Sequence, residues 1–163
     1  MVGQIAKGSM LNKIKAEDLP SLINKKLEPS SWLEIAQDRV DQFSRVTNDF
    51  QLIHADSERG AKTFFEGPIV HGFLLLSLLP YLNSQHSIVP ENLVMSINYG
   101  SDKVRYLAPV RVGKRVRSIQ KIINVNEKKP GQWLIKKVVT LEIEGEKKLA
   151  LLAEMLQMFI VES

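Results

Sequence analysis

The stretch "IVHGFLLLSLLPYL", residues 69–82, constrains this chain more than any other. A helix built from it is apolar on every side, so no face of it suits water. It is also short. A membrane-spanning helix needs about 20 apolar residues, and His71, Ser77 and Pro80 interrupt this run. The remaining solution is a buried helix, from about His71 to Leu82, wrapped by the rest of the protein. Pro80, near its end, should kink or end it, because proline brings no amide proton and crowds the preceding turn.

What wraps the helix is legible further on. From Leu93 the apolar period becomes two. In "WLIKKVVTLEIEG", Trp133, Ile135, Val139, Leu141 and Ile143 alternate with Lys136, Thr140, Glu142 and Glu144. That is the pattern of a half-buried antiparallel strand. Lys137 falls on the apolar face and breaks the pattern once. "KRVRSIQKIINVN" and "LALLAEMLQMFIVE" read as neighbouring strands, with "NEKKPGQ" and "EGEKK" as hairpin turns. The last strand is apolar on both faces, as a central strand would be. A helical first half and a stranded second half predict an α+β fold, with a curved antiparallel sheet around one long central helix.

The first half supplies shorter elements. "AEDLPSLINKKL" reads as a short helix and "SWLEIA" as a short strand. "QDRVDQFSRVTND" spaces Val40, Phe43 and Val46 by three, a helical face, and Asn48 and Asp49 then compete for backbone hydrogen bonds and stop it. "DSERGAKTF" fits another short helix, capped by Asp56 or Ser57 with Glu58 in its first turn. We expect one domain over residues 1–163, with 1–30 as an N-terminal helical extension; the 163 residues suffice for one core.

Composition excludes several chemistries. With no cysteine, disulfides, thiolate metal sites and a cysteine nucleophile are out. The opening "MVGQIAKGSM" has no apolar signal core, so a cytoplasmic setting is expected. The net charge of +4 mildly favours anionic ligands. "RVGKRVR" gathers Arg111, Lys114, Arg115 and Arg117. It reads either as a solvated strand edge or as a phosphate-binding patch; without interleaved aromatics it does not suggest a nucleic-acid partner.

Three histidines remain. His86 sits in polar "NSQHSIVP" and reads as surface. His71, at the start of the buried helix, reads as a residue that orders the loop. His54 closes "TNDFQLIH", five residues after Asp49, with Phe50, Leu52 and Ile53 between. It is either a hydrogen-bonded core histidine or half of an acid/base pair, in which a carboxylate orients an imidazole that titrates near neutrality. No metal is expected, since "HAD" offers one imidazole and Asp56 and no second histidine at ligand spacing. There is no G-x-S-x-G elbow and no G-x-G-x-x-G dinucleotide loop. Gly72 lies at the helix start, where free amides and the positive end of the dipole face a ligand. A glycine there is either a packing residue or an oxyanion donor.

Taken together, "DQFSRVTNDFQLIHAD…FFEGPIVHGFLLLSLLP" resembles the MaoC-like family of (R)-specific enoyl-CoA hydratases and dehydratases, which have the hot-dog fold. The family motif D-x-x-x-x-H, followed by P-I-V-H-G, matches Asp49, His54 and Pro68 to Gly72. "SINYGSDKVRYLAPVRVG" also looks like the family, and the "QLIH" and "INYG" wording most resembles its NodN-like branch. The resemblance spans residues 31–118. It implies hydration of trans-2-enoyl thioesters, or the reverse, with no cofactor. By position it implies that Asp49 and His54 activate water and Gly72 donates its amide to the thioester carbonyl, with Gln51, Pro68, Val70, His71 and Phe73 around the substrate. It further implies a homodimer and an acyl thioester of coenzyme A or acyl carrier protein. The chain departs from many members at Gln51, where asparagine is usual, and at Pro80, where serine is common. The alternatives are an acyl-thioester-binding protein without turnover, and a hot-dog thioesterase. The second is opposed by the lack of any acidic residue from Ile69 to Ser84.

Overall fold

The computed structural model describes residues 12–54, 65 and 67–162. In chain order these form β1 (Asn12–Ile14), a 3-10 helix (Ala16–Leu22), β2 (Leu33–Glu34), α1 (Gln37–Thr47) and a 3-10 turn (Leu52–His54). There follow α2 (Gly72–Ser84), β3 (Ile88–Pro90), β4 (Leu93–Tyr106), β5 (Arg115–Lys129), β6 (Gln132–Ile143) and β7 (Leu149–Val161). The short helix expected over "DSERGAKTF" lies outside the described residues.

One sheet takes the order β2-β5-β6-β7-β4, antiparallel throughout. β1 and β3 pair in parallel beside it. α2 packs on the inner face of the large sheet through Leu74, Leu75, Leu78, Leu79 and Leu82. Across from them lie Val116, Val139, Leu141, Ile143 and Leu151, with Ala150 and Ala153 letting the helix come close. Each buried leucine contributes about 2 kcal/mol of transfer free energy. The wrapped-helix expectation from the sequence is what forms.

Two local expectations are corrected. Pro80 does not end helix α2, which runs to Ser84, two residues past the expected end near Leu82. Proline's constraint falls on the turn before it, and its own φ is helical, so residues beyond can stay in the helix. In α1, Val40 is fully buried and Phe43 packs against the core, but Val46 is 79% exposed. Three-residue steps fall 60° short of a full helical revolution, so after two of them Val46 has drifted off the face; Ser44, four from Val40, is buried instead.

The inner face of the sheet is not uniformly apolar. Along β5 the inward residues run Val116, Ser118, Gln120, Ile122; along β6 they run Ile135, Lys137, Val139. On β7, Gln157 pairs with Ile135 and Met155 with Lys137. The polar members form a seam between two apolar clusters. One cluster lies under α2; the other joins Leu19, Leu22, Leu27, Ile88, Val89, Ile122, Val125, Ile135 and Phe159. The second cluster is how residues 12–30 attach: a strand and a 3-10 helix cover that end of the sheet.

Candidate active site

Helix α1 ends at Asn48, whose φ of 57° is left-handed, a conformation asparagine tolerates. The chain reverses there and presents Asp49, then closes the Leu52–His54 turn with the His54 amide donating to the Gln51 carbonyl at 3.0 Å. The Ile69 amide donates to the Ile53 carbonyl at 2.8 Å. These bonds fasten the "QLIH" turn to the loop that starts α2.

His54 is 7% exposed. Its Nδ1–H donates to the Ile69 carbonyl at 2.7 Å, which leaves Nε2 as the bare, basic nitrogen. Burial lowers its pKa from the ordinary value; the Ile69 hydrogen bond and the Asp49 charge oppose that shift, while His71 adds to it. The imidazole is therefore neutral at neutral pH. Behind it, Gln37 Nε2 donates to the His54 carbonyl and to Asp41 Oδ1, each at 2.9 Å.

His71 does more than order a loop. It is 2% exposed, and its ring stacks on His54 with centroids 3.6 Å apart. Its Nε2 lies 3.2 Å from Ser44 Oγ and 3.2 Å from the Asp49 carbonyl, and 4.0 Å from Asp49 Oδ2. Its Nδ1 is buried without a hydrogen-bond partner. Asp49, His54 and His71 thus place one polar atom each within 4.8 Å of one another. Contrary to the expectation from sequence spacing, folding does bring a second histidine, His71, beside His54. The trio still makes a poor metal cradle: stacked rings aim their in-plane lone pairs side by side rather than at one point, and His54 Nδ1 is already committed to Ile69.

Gly72 is the first residue of α2. A β-carbon there would lie 2.9 Å from Tyr106 Cε1, so the glycine lets the tyrosine ring close over the helix start. Tyr106 meets Phe73 edge-on at 6.2 Å, and burial raises its pKa. Asp49, Gln51, His54, Val70, His71, Gly72 and Phe73 line one cavity of about 450 Å³, together with Tyr106 to Val110. Pro68 does not line it; its carbonyl accepts the Val112 amide at 3.1 Å. The Tyr106–Val110 wall went unassigned from sequence, although it falls in the "VRYLAPV" stretch that carried part of the resemblance.

The basic cluster is largely spent on carboxylates. Lys114 pairs with Glu146 (3.7 Å), Arg115 with Glu144 (3.1 Å) and Arg117 with Glu142 (2.7 Å). Arg117 also stacks on Trp32 at 4.5 Å. For these three residues the solvated-edge reading holds. Among the described residues no helix is long and apolar enough to cross a membrane.

Comparison with known proteins identifies the family and the fold. The family model described as MaoC like domain matches residues 18–146. The chain is 38% identical over 143 residues to 3-hydroxyacyl-thioester dehydratase Z of Mycobacterium tuberculosis, covering 88% of this chain and 94% of that one. It is 36% identical over 144 residues to nodulation protein N of Rhizobium leguminosarum bv. viciae, covering 88% and 89%. The solved (R)-hydratase of Aeromonas caviae superposes with a TM-score of 0.67 at 27% identity, covering 83% of this chain and 94% of that one. The chain belongs to the MaoC-like hydratase and dehydratase family and has the hot-dog fold.

Proposed function

We propose that the chain adds water across the double bond of trans-2-enoyl thioesters to give (R)-3-hydroxyacyl thioesters, or catalyses the reverse. The observation that carries this is the meeting of a buried, neutral His54, the Asp49 carboxylate and the first amide of α2 in one largely apolar cavity. The thioester carbonyl takes the Gly72 amide, which makes C3 electrophilic. His54 Nε2 removes a proton from a water held between it and Asp49, and the oxygen forms its bond to C3. The C2=C3 pair shifts to an enolate, and the proton held by the pair returns to C2. His71 is the positioning residue: its stacking and its contacts with Ser44 and Asp49 fix both members of the pair. The thioesterase alternative is disfavoured because α2 carries no carboxylate.

We also infer a homodimer in the cytoplasm. β4 is an edge strand with Val94, Met95, Ile97 and Tyr99 all exposed. An edge of that length and apolarity calls for cover, and a second copy supplies it beside the cavity mouth.

The test is hydration of crotonyl-CoA and longer enoyl-CoA thioesters, followed by loss of the enoyl absorbance with chiral analysis of the product. Asp49→Asn and His54→Ala should each lower kcat by roughly 10²–10⁴-fold. Folded variants that keep the full rate would show that the pair is not the water-activating site.

A further inference from the structure

Among the described residues, the hydration chemistry leaves the buried Lys137 without a task. Lys137 is 5% exposed, and it sits in the polar seam of the sheet. Burial, with no charge opposing it, lowers its pKa to about 8. It lines a cavity of about 230 Å³ with Asn83, Ser84, Ser87, Asn98 and Gln157. Asn83 Oδ1 is buried without a hydrogen-bond partner, and so is Oε1 of neighbouring Gln120, whose Nε2 donates to the Asn83 carbonyl at 2.9 Å. A lone cation and orphaned amides are costly inside a fold unless something polar meets them.

This chamber and the active-site cavity lie at opposite ends of one stripe of α2. Phe73, Ser77, Pro80 and Ser84 follow one another at four-, three- and four-residue steps, with Leu76 three after Phe73 and four before Pro80, a single stripe of the helix. Phe73 borders the Asp49/His54 cavity. Leu76, Ser77 and Pro80 line an intervening hollow of about 400 Å³. Pro80, Asn98 and Met155 belong both to that hollow and to the Lys137 chamber. The rise of α2 from Gly72 to Asn83 is about 16 Å. An extended acyl chain advances about 1.3 Å per carbon–carbon bond, so a chain of about a dozen carbons spans the distance.

We propose that the Lys137 chamber receives a carboxylate at the far end of the acyl chain, making dicarboxylic enoyl thioesters of roughly twelve carbons the preferred substrates. The assignment rests on the thioester reading above. A carboxylate gives the Lys137 ammonium its missing partner; the Ser84 and Ser87 hydroxyls already donate to the Tyr81 and Asn83 carbonyls at 2.8 and 2.9 Å, so its second oxygen falls to the Asn83 side chain. The Asn83 amide, with nothing holding its oxygen in place, can turn to offer its NH₂ group. The chain between lies along the stripe of α2, with apolar Phe73, Leu76 and Pro80 beneath it.

The experiment compares twelve-carbon enoyl-CoA substrates that end in a methyl, a hydroxyl or a carboxylate. The wild-type protein should favour the carboxylate over the methyl by at least about tenfold in kcat/KM, the worth of a buried charge-assisted pair. In Lys137→Met that ratio should fall to one or below. Equal use of the three, or preference for the methyl or hydroxyl, overturns the assignment. Dissociation constants of the corresponding saturated thioesters, measured by calorimetry on the wild-type protein, separate it from the hydration reading. A carboxylate preference in binding without any turnover leaves Lys137 assigned and sinks the hydratase; equal binding sinks Lys137 whatever the turnover.

Discussion

Replacing Lys137 by methionine should make this protein more stable, by an amount that depends on pH in a set way. The native pKa of about 8 against an ordinary 10.5 corresponds to a cost of about 3 kcal/mol for carrying the charge inside the fold. The sign follows from proton counting. Between pH 8 and 10.5 the unfolded chain keeps this proton and the native state has lost it. Wild-type stability therefore rises across that window as pH increases, and the contribution is flat below it. Methionine has a similar length, no charge, and a flexible stem that fills irregular space. Urea titrations of both proteins at half-unit steps from pH 7 to 10.5, read as the difference between them, cancel every other titrating group. The variant should be more stable by about 3 kcal/mol at pH 7, which for a chain of this size is a gain of roughly 6–12 °C in Tm. The difference should shrink towards zero by pH 10.5. A difference that does not change with pH, or a less stable variant at pH 7, would refute the account of a buried and unpaired charge.

Other outcomes follow from features already described. Val40→Ala should cost about 2 kcal/mol and Val46→Ser less than about 0.5 kcal/mol, because one is fully buried and the other 79% exposed; thermal unfolding of the pair checks which face of α1 meets the core. The lowered His54 pKa places the acid limb of the kcat/KM profile for hydration below the ordinary histidine value, and His54→Gln should remove that limb along with most of the rate. For stability the sign is the same: the unfolded state takes up this proton first as pH falls, so the His54 contribution is lost on acidification below the ordinary value.

The sequence was most informative where one period persists over many residues. The wrapped α2, β6 with its single inward lysine, and the breaks at Asn48 and Gly72 were all legible, because each depends on near neighbours. The drift of Val46 and the extension of α2 from Leu82 to Ser84 were not, since three-residue spacing and four-residue spacing diverge within two turns and a proline blocks only the turn behind it. The site was half legible. Asp49, His54 and Gly72 stand out by residue type, and the resemblance orders them. From residue type alone His71 reads as a loop residue, and the resemblance adds only that it stands near the substrate; its partners, Ser44 and the Asp49 carbonyl, come from α1 and its end, and only tertiary folding stacks it on His54. Tyr106 was missed for the same reason: nothing in "VRYLAP" says that its ring will cover a glycine at the start of a helix earlier in the chain.

The polar seam has a consequence for how damage spreads. Because Ser118, Gln120, Lys137 and Gln157 interrupt the apolar packing, the cluster holding Leu19, Leu22 and Phe159 can open without pulling apart the leucines beneath α2. The molecule is insulated along that line, as proteins that open in separate cooperative units are. Substitutions that loosen the end covered by β1 and the 3-10 helix can then accumulate with little effect on His54 and Gly72, leaving that end freer to vary from one relative to the next.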